Sequence, residues 1–177
     1  MAQKKRKAHK ALIQSYGLFW RRDEIDWNPG KGKRYGFRLY GRCGANRGHI
    51  QVADFRYQQG IYILYGDYGP YYVGLTRKKG IGRRLKDHLT DGHANRWDRF
   101  SWFGFCKVLK SKNADRIHQL GKMPSTKPAN LDDIIADIEA LLIKSMALQN
   151  INNMNFSIAK KWIQIEKDEW DKFGDRL

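Results

Sequence analysis

The chain has 177 residues, 41% hydrophobic and 13% aromatic, so it is long and apolar enough to fold around a core of its own. Its 34 lysines and arginines against 18 acidic residues give a formal net charge of +16, which favours a polyanionic partner, nucleic acid first. Cys43 and Cys106 are too few for a disulfide framework, and no long apolar run predicts a membrane span. We therefore expect a cytoplasmic, nucleoid-associated protein.

The excess positive charge lies in the first two thirds of the chain. Residues 1–60 hold 14 basic and 4 acidic residues, and residues 61–130 hold 14 and 5. Residues 131–177 hold 6 basic and 9 acidic residues. A protein that only coats DNA has little need of this acidic end, whereas one that brings a carboxylate and a metal ion to a phosphate does.

A basic extension comes first. Apolar side chains at helical spacing predict a short helix over residues 8–16, after a basic arm. Residues 36–42 and 50–57 read as two strands around a turn rich in Gly and Asn, which predicts a β-hairpin. We assign residues 1–58 to an N-terminal extension that packs on the core.

The stretch GIYILYGDYGPYYVG, residues 60–74, predicts a second hairpin that turns at residues 67–70. Because side chains alternate between the faces of a strand, Tyr62 and Tyr72 are expected on one face of this hairpin. Gly74 lies beside them and leaves room for a ligand to approach the backbone.

Helical and extended segments follow. Residues 81–89 predict a helix that aligns Arg84 with His88, four residues on. His93, in the loop after this helix, could also reach the site or bind nothing at all. Residues 99–109 predict a third strand beside the hairpin, and the polar residues 110–130 predict a loop.

A second helix is predicted after Asn130, a good N-cap residue. Glu139 falls within the apolar sector of this helix, an unusual place for a carboxylate. The remaining segment, residues 157–177, predicts a terminal helix of the same domain. The apolar face of the second helix consists of Ile134, Ile135, Ile138, Leu141, Leu142 and Met146.

Two phenols, an Arg–His pair and one carboxylate suit the hydrolysis of a phosphodiester, which needs an activated water and cationic help for the phosphate. GIY at 60–62 and YVG at 72–74, followed by Arg84, His88 and Glu139, resemble the GIY-YIG nuclease superfamily. That family includes catalytic domains of homing endonucleases, some restriction enzymes and the N-terminal nuclease domain of a DNA-repair excinuclease. The resemblance covers residues 59–156.

The resemblance implies a small mixed α/β (α+β) fold, in which helices flank a three-stranded antiparallel sheet, and one divalent ion, Mg²⁺ or Mn²⁺. By the same resemblance Tyr62 is the general base or its relay to the attacking water, and Tyr72 positions that water or the phosphate. Arg84 stabilises the transition state, and His88 supports it or assists proton transfer.

Two further roles follow from the resemblance. Glu139 holds the metal ion, and an asparagine closes the site, for which Asn150 is preferred among the asparagines of residues 150–155. Leu75 stands where many relatives carry lysine, so the supporting contact that this lysine makes in the family has no counterpart at this position. All these groups are expected to converge around a single ion.

The sequence thus predicts a metal-dependent endonuclease that hydrolyses DNA. The alternative is a non-catalytic basic module that binds RNA or branched DNA on the same scaffold. A protein partner or a homodimer stays open. The basic side chains expected to contact nucleic acid are Lys78, Lys79, Arg83, Arg21, Arg22, Arg34 and Arg38.

Overall fold

The computed structural model describes residues 11–29, 36–43, 51–76, 78–124, 131–146 and 162–167. Within these ranges the chain forms ten β-strands, arranged as two five-stranded sheets, and two α-helices. No helix of the described ranges has the length and apolarity needed to cross a membrane.

The first sheet contains β1 (Ser15–Arg21), β4 (Gly60–Gly66), β5 (Gly69–Thr76), β6 (Arg99–Gly104) and β9 (Ile163–Gln164). Its spatial order is β5-β4-β6-β1-β9. All neighbours in it are antiparallel except β1 and β9, which are parallel.

The second sheet contains β2 (Tyr40–Cys43), β3 (Gln51–Asp54), β7 (Val108–Lys112), β8 (His118–Leu120) and β10 (Glu166–Lys167). Its order is β10-β2-β3-β8-β7, and β3 and β8 are its one parallel pair among the described strands. Between β9 and β10, the buried Ile165 marks the point where the chain passes from one sheet to the other.

The helices α1 (Ile81–Asp87) and α2 (Leu131–Ser145) pack against opposite faces of the first sheet. The first core cluster joins one face of that sheet to α1 and the second sheet, and includes Tyr62, Leu64, Phe100, Trp102, Leu85, Ala53 and Phe55. The second core cluster joins the other face to α2, and includes Ile63, Tyr65, Phe103, Ala140 and Trp162. Because side chains alternate along β4, Tyr62 lies in the first core cluster and Tyr65 lies in the second.

The predicted hairpin of residues 60–74 is confirmed. In the pairing of β4 with β5, Tyr62 lies opposite Gly74 and Leu64 lies opposite Tyr72, so the two tyrosines are diagonal neighbours on one face. The turn is Asp67–Tyr68, shorter than expected because Gly69 already belongs to β5. The hairpin of β2 with β3 and the strand β6 beside β4 are also confirmed.

The predicted fold class, a small three-stranded antiparallel sheet flanked by helices, is wrong. The three expected strands are adjacent, but β1 pairs with the other edge of β6, and β9 extends the sheet further. The prediction of a helix over residues 8–16 is also wrong in the part that the structure describes, because Ser15 and Tyr16 begin β1. An irregular register between Gly17 and Trp20, with Phe19 at φ 53°, hides the alternation that marks a strand.

Two more element predictions are wrong. The loop expected over residues 110–130 contains most of β7 and all of β8, because most side chains of β7 are exposed and give no apolar alternation. Residues 157–177 were expected to form a terminal helix, but the part that the structure describes, residues 162–167, forms β9 and β10.

The second helix forms as predicted, but it turns a different face to the sheet. Ile138, Leu142 and Met146 of the expected apolar face are 52%, 51% and 57% exposed. The buried positions include Asp137 and Ala140 instead. Asp137 accepts hydrogen bonds from the Leu12 backbone N–H at 2.8 Å and from Nε1 of Trp162 at 3.3 Å, so polar contacts help to set the rotation of this helix.

Candidate active site

The position of α1 follows from two glycines that allow a close approach of backbone. Gly80 adopts φ +77°, and a Cβ atom there would lie 2.3 Å from the carbonyl oxygen of Arg56. A Cβ atom on Gly82 would lie 2.7 Å from Cα of Arg56. The helix is thereby held against the turn that precedes β4, with Ile81 and Leu85 fully buried. Its last turn and C-cap carry Arg84 and His88 toward the tyrosines.

The two predicted tyrosines lie together over Gly74. Their ring centroids are 6.1 Å apart, and Tyr62 is fully buried whereas Tyr72 is half-buried. A Cβ atom on Gly74 would lie 2.2 Å from both Cζ and the hydroxyl oxygen of Tyr62. Gly74 therefore makes room for the Tyr62 ring, rather than for a ligand as the sequence had suggested.

His88 connects the helix to Tyr62. The Tyr62 hydroxyl and Nε2 of His88 are 2.8 Å apart, and the imidazole is almost fully buried. The backbone carbonyl of His88 accepts a hydrogen bond from Nε1 of Trp97 at 3.2 Å, which fixes the end of the helix. The Tyr72 ring stands edge-on to His88, with centroids 5.2 Å apart.

Tyr62, Tyr72, Arg84 and His88 together form what we call the tyrosine cluster. Its electrostatics keep Tyr62 protonated. Burial raises the pKa of the Tyr62 phenol to about 12, although a hydrogen bond and the positive charge of Arg84 act in the opposite direction. Burial lowers the pKa of Arg84, but its interactions with Tyr62 and Tyr72 outweigh that effect and raise it. Tyr62 is thus suited to relay a proton, and not to serve as a resident phenolate at neutral pH.

The solvent-facing part of the cluster consists of Arg84 and Tyr72. The Arg84 side chain is 36% exposed, and its Nη1 lies 3.9 Å from Oδ2 of Asp87. Because Tyr62 has no exposed surface, a water molecule or phosphate arriving from solvent meets Tyr72 and Arg84 first.

Three more residues join this cluster, of which the sequence had suggested only His93. Oδ2 of Asp91 lies 2.7 Å from Nδ1 of His88. The His93 ring lies 4.5 Å from the Tyr72 ring and 4.9 Å from the His88 ring, measured between centroids. Nδ1 of His93 lies 3.0 Å from the Tyr71 hydroxyl. Asp91 lies three residues after His88 but beyond the end of α1, so helical spacing gave no signal for the position of this carboxylate.

The described donor set does not fit the expected magnesium ion. Among the described residues, His88, Asp91 and His93 offer ligand atoms within 4.8 Å of one another. Two imidazoles are a poor match for Mg²⁺, which prefers oxygen ligands. Moreover, Nδ1 of His88 lies 2.7 Å from Oδ2 of Asp91, so an ion bound by both atoms would have to replace the hydrogen bond between them.

The residue predicted to hold the metal ion belongs to the second helix. Glu139 lies on α2, whose described side chains contact the face of the first sheet opposite Tyr62. The side chain of Glu139 is outside the described part of the structure, and so is the whole of Asn150. Their roles as metal ligand and closing asparagine stay predictions.

The predicted nucleic-acid contacts fall into two places near α1. Lys78 and Lys79 are exposed in the loop that leads into α1. Arg21, Arg22 and Arg83 line one cavity of about 800 Å³ on another side of that helix, together with Trp27 and Trp97.

The arginines of this cavity already have partners. Arg21 pairs with Asp23 at 2.7 Å and Arg83 with Asp87 at 3.0 Å, which lowers the local excess of positive charge. Arg38 is half-buried above the Tyr40 ring, and Arg34 lies outside the described residues. The contacts of these side chains with nucleic acid stay predictions.

Comparison with models of known protein families, with curated proteins and with solved structures finds no match for this chain. The resemblance to GIY-YIG nucleases therefore rests on the residues themselves, and the function is argued below from their chemistry.

Proposed function

We propose that this chain is an endonuclease of GIY-YIG type, which hydrolyses DNA phosphodiester bonds and acts in the cytoplasm on the nucleoid. The observation that carries the proposal is the 2.8 Å hydrogen bond between the buried His88 and Tyr62, with the half-buried Tyr72 and Arg84 beside Tyr62. In this order, Tyr72, Tyr62 and His88 can pass a proton inward from a water molecule at the surface. Arg84 can hold the phosphate that this water attacks.

The proton balance of the reaction follows that path. The water gives a proton to the Tyr72 hydroxyl, which passes its own proton to Tyr62, and Tyr62 passes its proton to Nε2 of His88. The resulting hydroxide forms a bond to phosphorus, and the bond from phosphorus to the 3′ oxygen breaks. The leaving oxygen keeps the electron pair and takes a proton from solvent, so the ends carry a 5′-phosphate and a 3′-hydroxyl. His88 then returns its proton to solvent.

Each protein group has a separate task in this scheme. Arg84 offers a planar fork of donors to the phosphate oxygens and balances the negative charge that develops there. Tyr62 stays protonated because burial raises its pKa to about 12, and it therefore exchanges one proton for another instead of accumulating charge. Dependence on one Mg²⁺ or Mn²⁺ ion, held by Glu139, belongs to the proposal through the family resemblance alone.

A second candidate function is supported by one observation. The helix that carries Glu139 lies against the face of the first sheet opposite Tyr62, which suits a scaffold that binds without cutting. In that case the chain is a basic module for RNA or branched DNA, and its +16 charge provides the affinity.

One cleavage panel separates the two functions. Supercoiled plasmid, single-stranded DNA, branched DNA and RNA are each incubated with the protein, with Mg²⁺, with Mn²⁺ or with EDTA. We expect plasmid nicking that needs a metal ion and falls about 10²–10⁴-fold in Tyr62→Phe and Arg84→Ala. Lys110→Ala removes an exposed charge on β7 and serves as the matched control.

Two results decide against the endonuclease. The first is binding of all four substrates without cleavage of any, unaffected by EDTA, which supports the binding module. The second is cleavage that persists in Arg84→Ala, which separates the activity from this cluster. Retained cleavage in Glu139→Ala contradicts only the predicted metal ligand.

A further inference from the structure

The two ring nitrogens of His88 both have partners. Nε2 lies 2.8 Å from the Tyr62 hydroxyl, and Nδ1 lies 2.7 Å from Oδ2 of Asp91. A neutral imidazole carries a proton on one nitrogen and a lone pair on the other. The identity of the protonated nitrogen therefore decides in which direction the bond to Tyr62 runs.

Asp91 is held as an ionised acceptor. Its Oδ1 accepts a hydrogen bond from the backbone N–H of His93 at 2.9 Å, so its side chain is fixed on both oxygens. Desolvation acts to raise its pKa, but the hydrogen bonds from His93 and His88 outweigh that effect and lower it. A carboxylate has no proton to donate, so the bond to His88 requires a proton on Nδ1.

Few other groups near His88 can decide which of its ring nitrogens carries the proton. Charged and titratable groups face it from each neighbouring element: Tyr62 from β4, Tyr72 from β5, Arg84 on its own helix, and Asp91 and His93 from the following turn. Among the described groups only Asp91 has an oxygen at hydrogen-bond distance from Nδ1.

We propose that Asp91 is a positioning residue that keeps the proton of His88 on Nδ1, so that Nε2 accepts the proton of Tyr62. The role of this tautomer in cleavage rests on the proposed function. In the opposite tautomer Nε2 carries a proton and donates it to the phenol oxygen, so Tyr62 has no acceptor and the relay stops. Asp91 stays a carboxylate throughout and stabilises the imidazolium that forms when Tyr62 transfers its proton.

The test uses Asp91→Asn in the full chain. The amide oxygen of the new side chain can still accept from the His93 N–H, which turns the amide NH₂ group toward Nδ1 of His88 and favours the opposite tautomer. Nitrogen-15 NMR of the His88 ring reads the tautomer directly and requires no substrate. Asp98→Asn is the matched control, because Asp98 is exposed and its carboxylate pairs with Arg99 at 3.2 Å.

We expect Nδ1–H in the wild type and in Asp98→Asn, and Nε2–H in Asp91→Asn. We also expect the cleavage rate of Asp91→Asn to fall about 10²–10⁴-fold with KM nearly unchanged. An Nε2–H tautomer in the wild type overturns the proposal, and so does an unchanged tautomer in Asp91→Asn. If Asp91→Asn does not fold, the wild-type tautomer alone still decides the question.

Two further measurements keep this inference separate from its alternatives. Titration with ZnCl₂ in a calorimeter tests His88, Asp91 and His93 as a metal site, and tight binding that is lost in His93→Ala overturns the relay. If the wild type cuts no substrate, the proposed function fails while the NMR measurement still confirms or rejects the effect of Asp91 on His88.

Discussion

Gly74→Ala tests the packing on which the tyrosine cluster depends. The new methyl group would lie 2.2 Å from Cζ and from the hydroxyl oxygen of Tyr62. Non-bonded carbon atoms keep about 3.5–4.0 Å between them, so the ring has to move by roughly 1.3 Å or more. A displacement of that size is incompatible with the present 2.8 Å contact between Tyr62 and His88.

The expected cost follows from overpacking of a buried site. Inserting a methylene-sized group into a packed core destabilises a protein by about 1–3 kcal/mol. In a chain of this length each kcal/mol lowers Tm by about 2–4 °C. We also expect plasmid cleavage to fall at least as far as in Tyr62→Phe, because the phenol loses both its place and its acceptor.

The assay is urea unfolding followed by plasmid nicking, with Gly92→Ala as the control. A Cβ atom on Gly92 meets no atom within 4 Å, so that variant should unfold like the wild type. Tyr62→Leu removes the phenol atoms that the new methyl group meets, so Gly74→Ala should cost much less in that background. Equal stability of Gly74→Ala and Gly92→Ala would refute the reasoning.

Three further predictions concern charge and protonation. Arg84→Lys keeps the positive charge but loses the planar fork of donors of the guanidinium, so we expect the cleavage rate to fall about 100-fold. DNA binding, measured by filter assay, should change little. An unchanged cleavage rate contradicts the role of the guanidinium. The pKa of Tyr62 is raised from 10.0 to about 12, so the contribution of this phenol to stability is complete below pH 10 and is lost as the pH rises to about 12. In an absorbance titration of the phenolates, Tyr62 should therefore ionise as a separate phase near pH 12, and Tyr62→Phe should lack this phase. A phase near pH 12 that persists in Tyr62→Phe rejects the assignment. Arg83→Ala should reduce the slope of log affinity against log salt by about 1, and an unchanged slope removes Arg83 from the phosphate contacts.

The elements that were predicted correctly are those whose pattern is local. The strands β4 and β5 alternate regularly on either side of a short Gly/Pro turn, and α1 repeats Ile81 and Leu85 at helical spacing. The strand β1 was missed because its register shifts between Gly17 and Trp20, and β7 was missed because it lies mostly in solvent. The strands β9 and β10 have two residues each, too few for any periodic signal, and only pairing with distant strands defines them.

The candidate site was predicted in the same uneven way. Alternation along the strands predicted that Tyr62 and Tyr72 share a face, and spacing along one helix predicted that Arg84 lies beside His88. That the two pairs meet in one site was implied by the resemblance to GIY-YIG nucleases. Asp91 lies in a turn after α1, where no periodicity indicates which way a side chain points. The rotation of α2 was also beyond sequence patterns, because a buried carboxylate, Asp137, outweighs exposed apolar side chains in setting it.

The passage of the chain through Ile165 has a consequence for biosynthesis. The short strands on either side of this residue are the outer strands of two different sheets, one pairing with β1 and the other with β2. Neither sheet can therefore be completed before residues 162–167 leave the ribosome. A nascent chain that has left the ribosome tunnel only up to residue 161 exposes the edges of β1 and β2 that β9 and β10 later pair with, and we expect it to bind chaperones until residues 162–167 emerge.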